Sequence, residues 1–144
     1  MPSQGKQHGE GPEPITPCPS LAELADESQI DFEIKFFGAV LDSYPDYVDV
    51  LRVMGNNLTL KGRIKDGLEI DRRLVRLRPG DPLAHYNLAC SYALLKRTDQ
   101  AIKALRRAVE LGYRDFRYMR QDRDLDSIRN DPRYRQLLRE YEGR

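Results

Sequence analysis

The sequence predicts an all-α fold built of helix pairs, and three observations carry that prediction. Apolar residues recur at helical spacing in successive runs from Ile30 onward, and no stretch alternates apolar and polar residues for long enough to make a strand. The chain also matches itself when slid by 34 residues. At 144 residues it suffices for one domain of ordinary size. Hydrophobic residues make up 40% and charged residues 33%, a mix that suits an exposed helical surface and excludes fibrous and disulfide-rich classes. No apolar run approaches the ~20 residues of a spanning helix. Met1 to Cys18 hold one lysine and no apolar block of the kind a secretory signal carries. Two cysteines, Cys18 and Cys90, cannot make a disulfide framework or a closed zinc site. A reducing, cytoplasmic setting is the expectation.

The elements follow in order. Residues 1–29 contain three glycines and five prolines, with few apolar residues before Leu21, and are expected to be a disordered tail. Phe32, Ile34, Phe36, Phe37, Val40 and Leu41 mark a helix over 31–43 that stops at Tyr44-Pro45. Leu51, Met54, Gly55 and Leu58 mark a second over Val48 to Leu60, with Lys61-Gly62-Arg63 as its connector. A third runs from Ile64 to Leu77. Asp81-Pro82 is a strong helix start, because Asp81 can cap free amides and proline fits the first turn. Helices are expected at about Pro82–Leu95 and Asp99–Leu111, the latter ended by Gly112. Beyond them, Asp122 to Ile128 make at most a short helix. Asp131-Pro132 then opens a last helix bearing Tyr134, Leu137, Leu138 and Tyr141.

The 34-residue shift places Pro45 on Pro79, Met54 on Leu88, Gly55 on Ala89, Leu58 on Tyr92, Gly67 on Ala101 and Leu77 on Leu111. That period, with two helices per unit, resembles the tetratricopeptide repeat (TPR) family over roughly residues 31–115. The family's small residue on the first helix falls at Gly55 and Ala89, and its larger residue three positions on at Leu58 and Tyr92. Its small residue on the second helix falls at Gly67 and Ala101. The usual tryptophan is replaced by Leu51 and His85, and Asp71 occupies a slot that is usually apolar. The resemblance implies a right-handed superhelical stack of antiparallel helix pairs, with full repeats at about 48–81 and 82–115. Helix 31–43 would cap one end, and residues 116–142 the other, their outer face bearing Arg129, Arg133, Arg135, Arg139 and Glu140. The segment Asp124 to Tyr134 resembles the closing segment that follows such arrays in bacterial proteins. The single domain would then span 30–144.

Chemistry-bearing motifs are few. There is no phosphate loop, no GxSxG elbow and no metal-ligand cluster, so neither an enzyme nor a bound cofactor or metal is expected, and no small-molecule substrate. His85 reads as a core or surface histidine, and Cys90 as a small, partly buried thiol. Asp122, Asp124 and Asp126 alternate like part of a calcium loop, but the glycine and glutamate such loops need downstream are absent.

Charge is distributed unevenly. Residues 1–47 balance to −7 and residues 48–144 to +8. Arg114, Arg117, Arg120 and Arg123 recur every three residues, which on one helix would make a basic stripe able to meet phosphates. Nucleic-acid binding through that stripe is the third reading; a purely structural or self-associating module is the second. The first is a protein-interaction scaffold that takes a peptide or partner protein in its concave groove. By resemblance, the groove positions are Arg52, Asn56 and Leu60, then Tyr86, Asn87, Cys90 and Leu94, then Arg117, Arg120 and Gln121. Arg52, Asn56, Asn87 and Arg117 fall on four of the five positions with which some family members clamp a C-terminal carboxylate; Gln121 stands where the fifth would be basic. An acidic segment or free C-terminus is therefore the expected ligand, because an arginine fork can hold a carboxylate by two parallel hydrogen bonds.

Overall fold

The computed structural model describes residues 29–143. Those residues form seven α-helices and a 3-10 turn, with no strand among them: α1 Gln29–Ser43, α2 Val48–Leu60, α3 Ile64–Leu77, α4 Pro82–Leu94, α5 Thr98–Glu110, α6 Phe116–Gln121, the 3-10 turn Arg123–Ile128, and α7 Pro132–Tyr141. The disordered tail expected over 1–29 lies outside the described residues except for Gln29, which opens α1. Each of α1 to α4 packs on the helix that follows it, while the 3-10 turn closes over α4 and α5 and α7 docks on α5.

Local chemistry explains the boundaries. Asp81 accepts hydrogen bonds from the Leu83 and Ala84 amides at 2.9 and 3.4 Å, capping α4 ahead of Pro82. Asp131 does the same for α7 through the Arg133 amide, and Asp115 caps α6 through the Tyr118 amide. Both helix hairpins turn alike. Gly62 and Lys96, 34 residues apart, sit in left-handed conformation at φ 77° and 58°. The following amides, of Arg63 and Arg97, reach back to the carbonyls of Leu58 and Tyr92 at 2.8 and 2.9 Å. This is the six-to-one closure that satisfies a helix's last carbonyls.

The second helix of each pair buries one stripe, Leu68 and Leu74 in α3, Ala101, Leu105 and Ala108 in α5. By contrast α4 is covered on most sides by α3, α5 and the 3-10 turn, burying Ala84, His85, Tyr86 and the run from Ala89 to Ala93. Two clusters result. A small one joins Leu41, Val50, Leu51, Leu74 and Ala84 across α1–α4. A larger one extends from Leu68 through the α4–α5 pair to Leu125, Ile128, Tyr134 and Leu137. The closing segment thus supplies the apolar cover that two repeats lack. Its charges are not all outward-facing as expected: Arg129 turns in to donate to the carbonyls of Met119 and Asp122, and Arg133 and Glu140 pair with Asp99 and Arg106 of α5.

Candidate groove site

A cleft of about 200 Å³ opens on the side of the stack formed by the first helices of the two pairs. From α2 it takes Gly55, Asn56 and Thr59; from α4 it takes Leu83, Tyr86, Asn87, Cys90 and Ser91. Asp71 of α3 reaches it from behind, and Tyr113, Tyr118, Asp122 and Asp124 wall off the far end. Asp71 is visible here because Gly55 has no side chain to cover it: a Cβ on Gly55 would stand 3.1 Å from its Oδ1.

Asp122 organises the far wall. Its Oδ2 accepts from the Tyr86 hydroxyl at 2.6 Å and from the Cys90 thiol at 3.7 Å, while its Oδ1 takes the Asp124 amide at 3.0 Å. Tyr86 stacks on Tyr113 with ring centres 4.2 Å apart and planes within 6°, and Tyr118 leans toward it at 6.3 Å. Burial, the nearby carboxylates and the Asp122 hydrogen bond push the Cys90 thiol well up, so it stays protonated and is a poor nucleophile. Burial pushes Tyr113 up to about 12. Asp124 is raised by burial, then by the charges of Asp122 and Asp126. At the near end, Asp71 is 4% exposed and accepts from the Ser91 hydroxyl at 2.6 Å. Burial lifts its carboxyl to about 6 against that hydrogen bond, which lowers it.

Of the residues expected in the groove, Asn56, Tyr86, Asn87 and Cys90 meet in this cleft. Arg52, Leu60, Leu94, Arg117 and Arg120 do not line it. Arg52 is taken up by an ion pair with Asp81, the cap of α4, and Arg120 by one with Glu142. Leu60 is exposed at the end of α2, and Arg117 is exposed on α6. Tyr86, expected as an apolar contact for a ligand, is 3% exposed and faces inward to Asp122. In place of the basic patch anticipated around these positions, the described residues that line the cleft include three aspartates and no lysine or arginine. The arginine stripe is also broken. Helix α6 has only six residues, so Arg114 precedes it and Arg123 follows it. Arg114 donates to the Val109 and Tyr113 carbonyls and lies 5.7 Å from the Tyr141 ring centre. His85 is buried, with Nε2 2.7 Å from the Pro79 carbonyl oxygen, which it serves as a donor.

Sequence reasoning missed the aspartates and two of the tyrosines. Asp71 is conspicuous as a charge in an apolar slot, and that is the available signal. Asp122 and Asp124 show only as an alternation of carboxylates, and nothing local says that a turn will carry them 32 and more residues back onto Cys90.

Comparison with known proteins agrees with this architecture. Residues 82–111, from the start of α4 to the end of α5, match the family profile described as Tetratricopeptide repeat. A chloroplastic protein of Arabidopsis thaliana is 29% identical over 91 residues, covering 61% of this chain and 27% of that protein. The chain thus spans about a quarter of that relative's length. Among the described residues no helix is long and apolar enough to cross a membrane. Helices α1 to α5 packed each on the next, and a matched repeat over α4 and α5, show a tetratricopeptide-repeat-like helical stack, an architecture that generally serves protein interaction rather than catalysis.

Proposed function

We propose that the helical stack from residue 30 onward binds an extended segment of a partner protein in its concave groove, centred on the cleft between α2, α4 and the 3-10 turn. One observation carries this reading: the cleft is the place where side chains of both first helices meet open space, with Asn56 exposed, Asn87 partly so and Tyr118 half exposed at its rim. Asparagines suit a peptide ligand because each offers both a donor and an acceptor to a backbone amide unit. The most reactive side chains nearby are already committed. Cys90 is a buried, protonated thiol and His85 holds a backbone carbonyl, which favours a binding role over a catalytic one.

A photo-crosslinking residue placed in turn at Asn56, Asn87 and Lys103 tests the reading. Lys103 is exposed on α5, the outer helix of its pair. Crosslinks from the first two positions to one segment of one protein, and none from Lys103, are expected. Equal capture from all three positions, or capture from Lys103 alone, would place the binding surface elsewhere.

A further inference from the structure

The groove's chemistry points to a partner opposite in charge to the one the sequence suggested. We propose that the cleft receives the cationic end of a lysine or arginine side chain from the bound segment, with Asp124 as its ion-pair partner and Tyr118 as the ring over which it lies. The inference rests on the groove reading above and specifies the chemistry of its ligand.

Charge complementarity is the first argument. Asp71, Asp122 and Asp124 all face the cleft, yet among the described residues no lysine or arginine lines it. The ion pairs of the neighbouring arginines are made elsewhere: Arg52 with Asp81, Arg120 with Glu142, Arg129 with Asp126. The three carboxylates differ in what they have left to offer. Asp122 is filled by Tyr86, Cys90 and the Asp124 amide, and Asp71 is deep and tied to Ser91. The Asp124 carboxylate, half-buried at the far wall, accepts no hydrogen bond from any described residue, so it is the acceptor that remains.

Aromatic rings supply the second argument. Tyr118 is 52% exposed at the rim, and Tyr113 lies behind it, stacked on Tyr86. A ring face beside a carboxylate suits an alkylammonium or guanidinium group, since the ring quadrupole attracts the cation while the methylene stem covers apolar surface. A divalent metal fits less well. Cys90, Asp122 and Asp124 place ligand atoms within 4.8 Å of one another, but Asp122 already accepts from Tyr86, Cys90 and the Asp124 amide, hydrogen bonds that a metal would have to displace.

The test is fluorescence anisotropy of the full chain with a short labelled peptide of alternating lysine and serine, and with its glutamate counterpart. The lysine peptide should bind and the glutamate peptide should not. Asp124→Asn should weaken binding about tenfold, the worth of one charge-assisted hydrogen bond. Tyr118→Ala should weaken it several-fold, and Asp46→Asn on the α1–α2 turn should leave it unchanged. Tighter binding of the glutamate peptide, or wild-type affinity in Asp124→Asn, overturns the proposal. So does displacement of the lysine peptide by micromolar Zn²⁺ or Ca²⁺, which would make this a metal site. Asn56→Trp, which fills the cleft, separates the two levels. If it abolishes binding while Asp124→Asn does nothing, the groove reading stands and the cation pocket falls; if neither variant matters, both fall.

Discussion

The α2–α3 and α4–α5 pairs are one 34-residue unit met twice, and position by position they bury different things. Where the second pair has Ala89 and Ala101 at its helix crossing, the first has Gly55 and Gly67. Where the second buries Leu105, the first buries Asp71. These differences are coupled. The Asp71 carboxylate leans so close to α2 that a Cβ at Gly55 would crowd both its Oδ1 and the Ile70 methyl, at 3.1 and 3.3 Å. The first pair therefore exchanges apolar contact for a polar link to its neighbour, the Ser91 bond into α4. The second pair, with Ala89, Ala101 and Leu105 at those three slots, anchors the larger core. A repeat can thus keep its backbone geometry while one copy is specialised for stability and the other opens a polar floor under the groove.

Making the second pair resemble the first is the most damaging way to test this contrast. Leu105→Asp puts a charge at a position that is fully buried within an apolar cluster, and should cost about 4 kcal/mol or more, enough to unfold the domain. Chemical denaturation measures it, and a loss under about 1 kcal/mol would mean that the two slots are equally tolerant.

Next in size is the titration of Asp71. Its folded carboxyl is raised to about 6 by burial, above the ordinary value of 3.8. Below about pH 4 the group is protonated folded or unfolded, and it carries no penalty. As pH rises from about 4 to about 6 the unfolded chain releases the proton first, so stability should fall by on the order of 2–3 kcal/mol and then level off. Asp71→Asn keeps an acceptor for Ser91 and has no proton to lose; its stability measured from about pH 4 to 7 should lack that step. Parallel curves for the two proteins would remove Asp71 from the account.

Ala101→Leu enlarges a residue with no exposed surface at the α4–α5 crossing, and should cost roughly 1–3 kcal/mol because a helix must shift to admit it. An unchanged melting temperature would show the crossing to be looser than its burial implies. The smallest effect is at the matching turns. Lys96 occupies the left-handed conformation that Gly62 adopts in the first pair, at a steric cost that glycine avoids. Lys96→Gly should be neutral to stabilising by up to about 1 kcal/mol, and Gly62→Lys destabilising by a similar amount. Calorimetry of the two variants would contradict the reading if the signs were reversed.

What the sequence determined by itself was the repeating framework. Apolar spacing, the Asp-Pro starts and the glycine stops are local signals, read within one or two turns, and they placed α2 and α3 at their observed ends. They put the bounds of α1, α4 and α5 within two residues of those observed. The small-residue slots identified the helix crossings because close approach demands them whatever lies around. The groove's charge was decided by the tertiary structure alone. Arg52 reads as an anchor until folding brings Asp81 against it, and Arg120 until the chain returns with Glu142. Asp122 and Asp124 read as an exposed alternation until the 3-10 turn lays them beside Tyr86 and Cys90. The electrostatic character of a surface depends on which charges burial isolates and which long side chains find partners. Those pairings join residues 20 or more apart, whereas a helix boundary is set by its nearest neighbours.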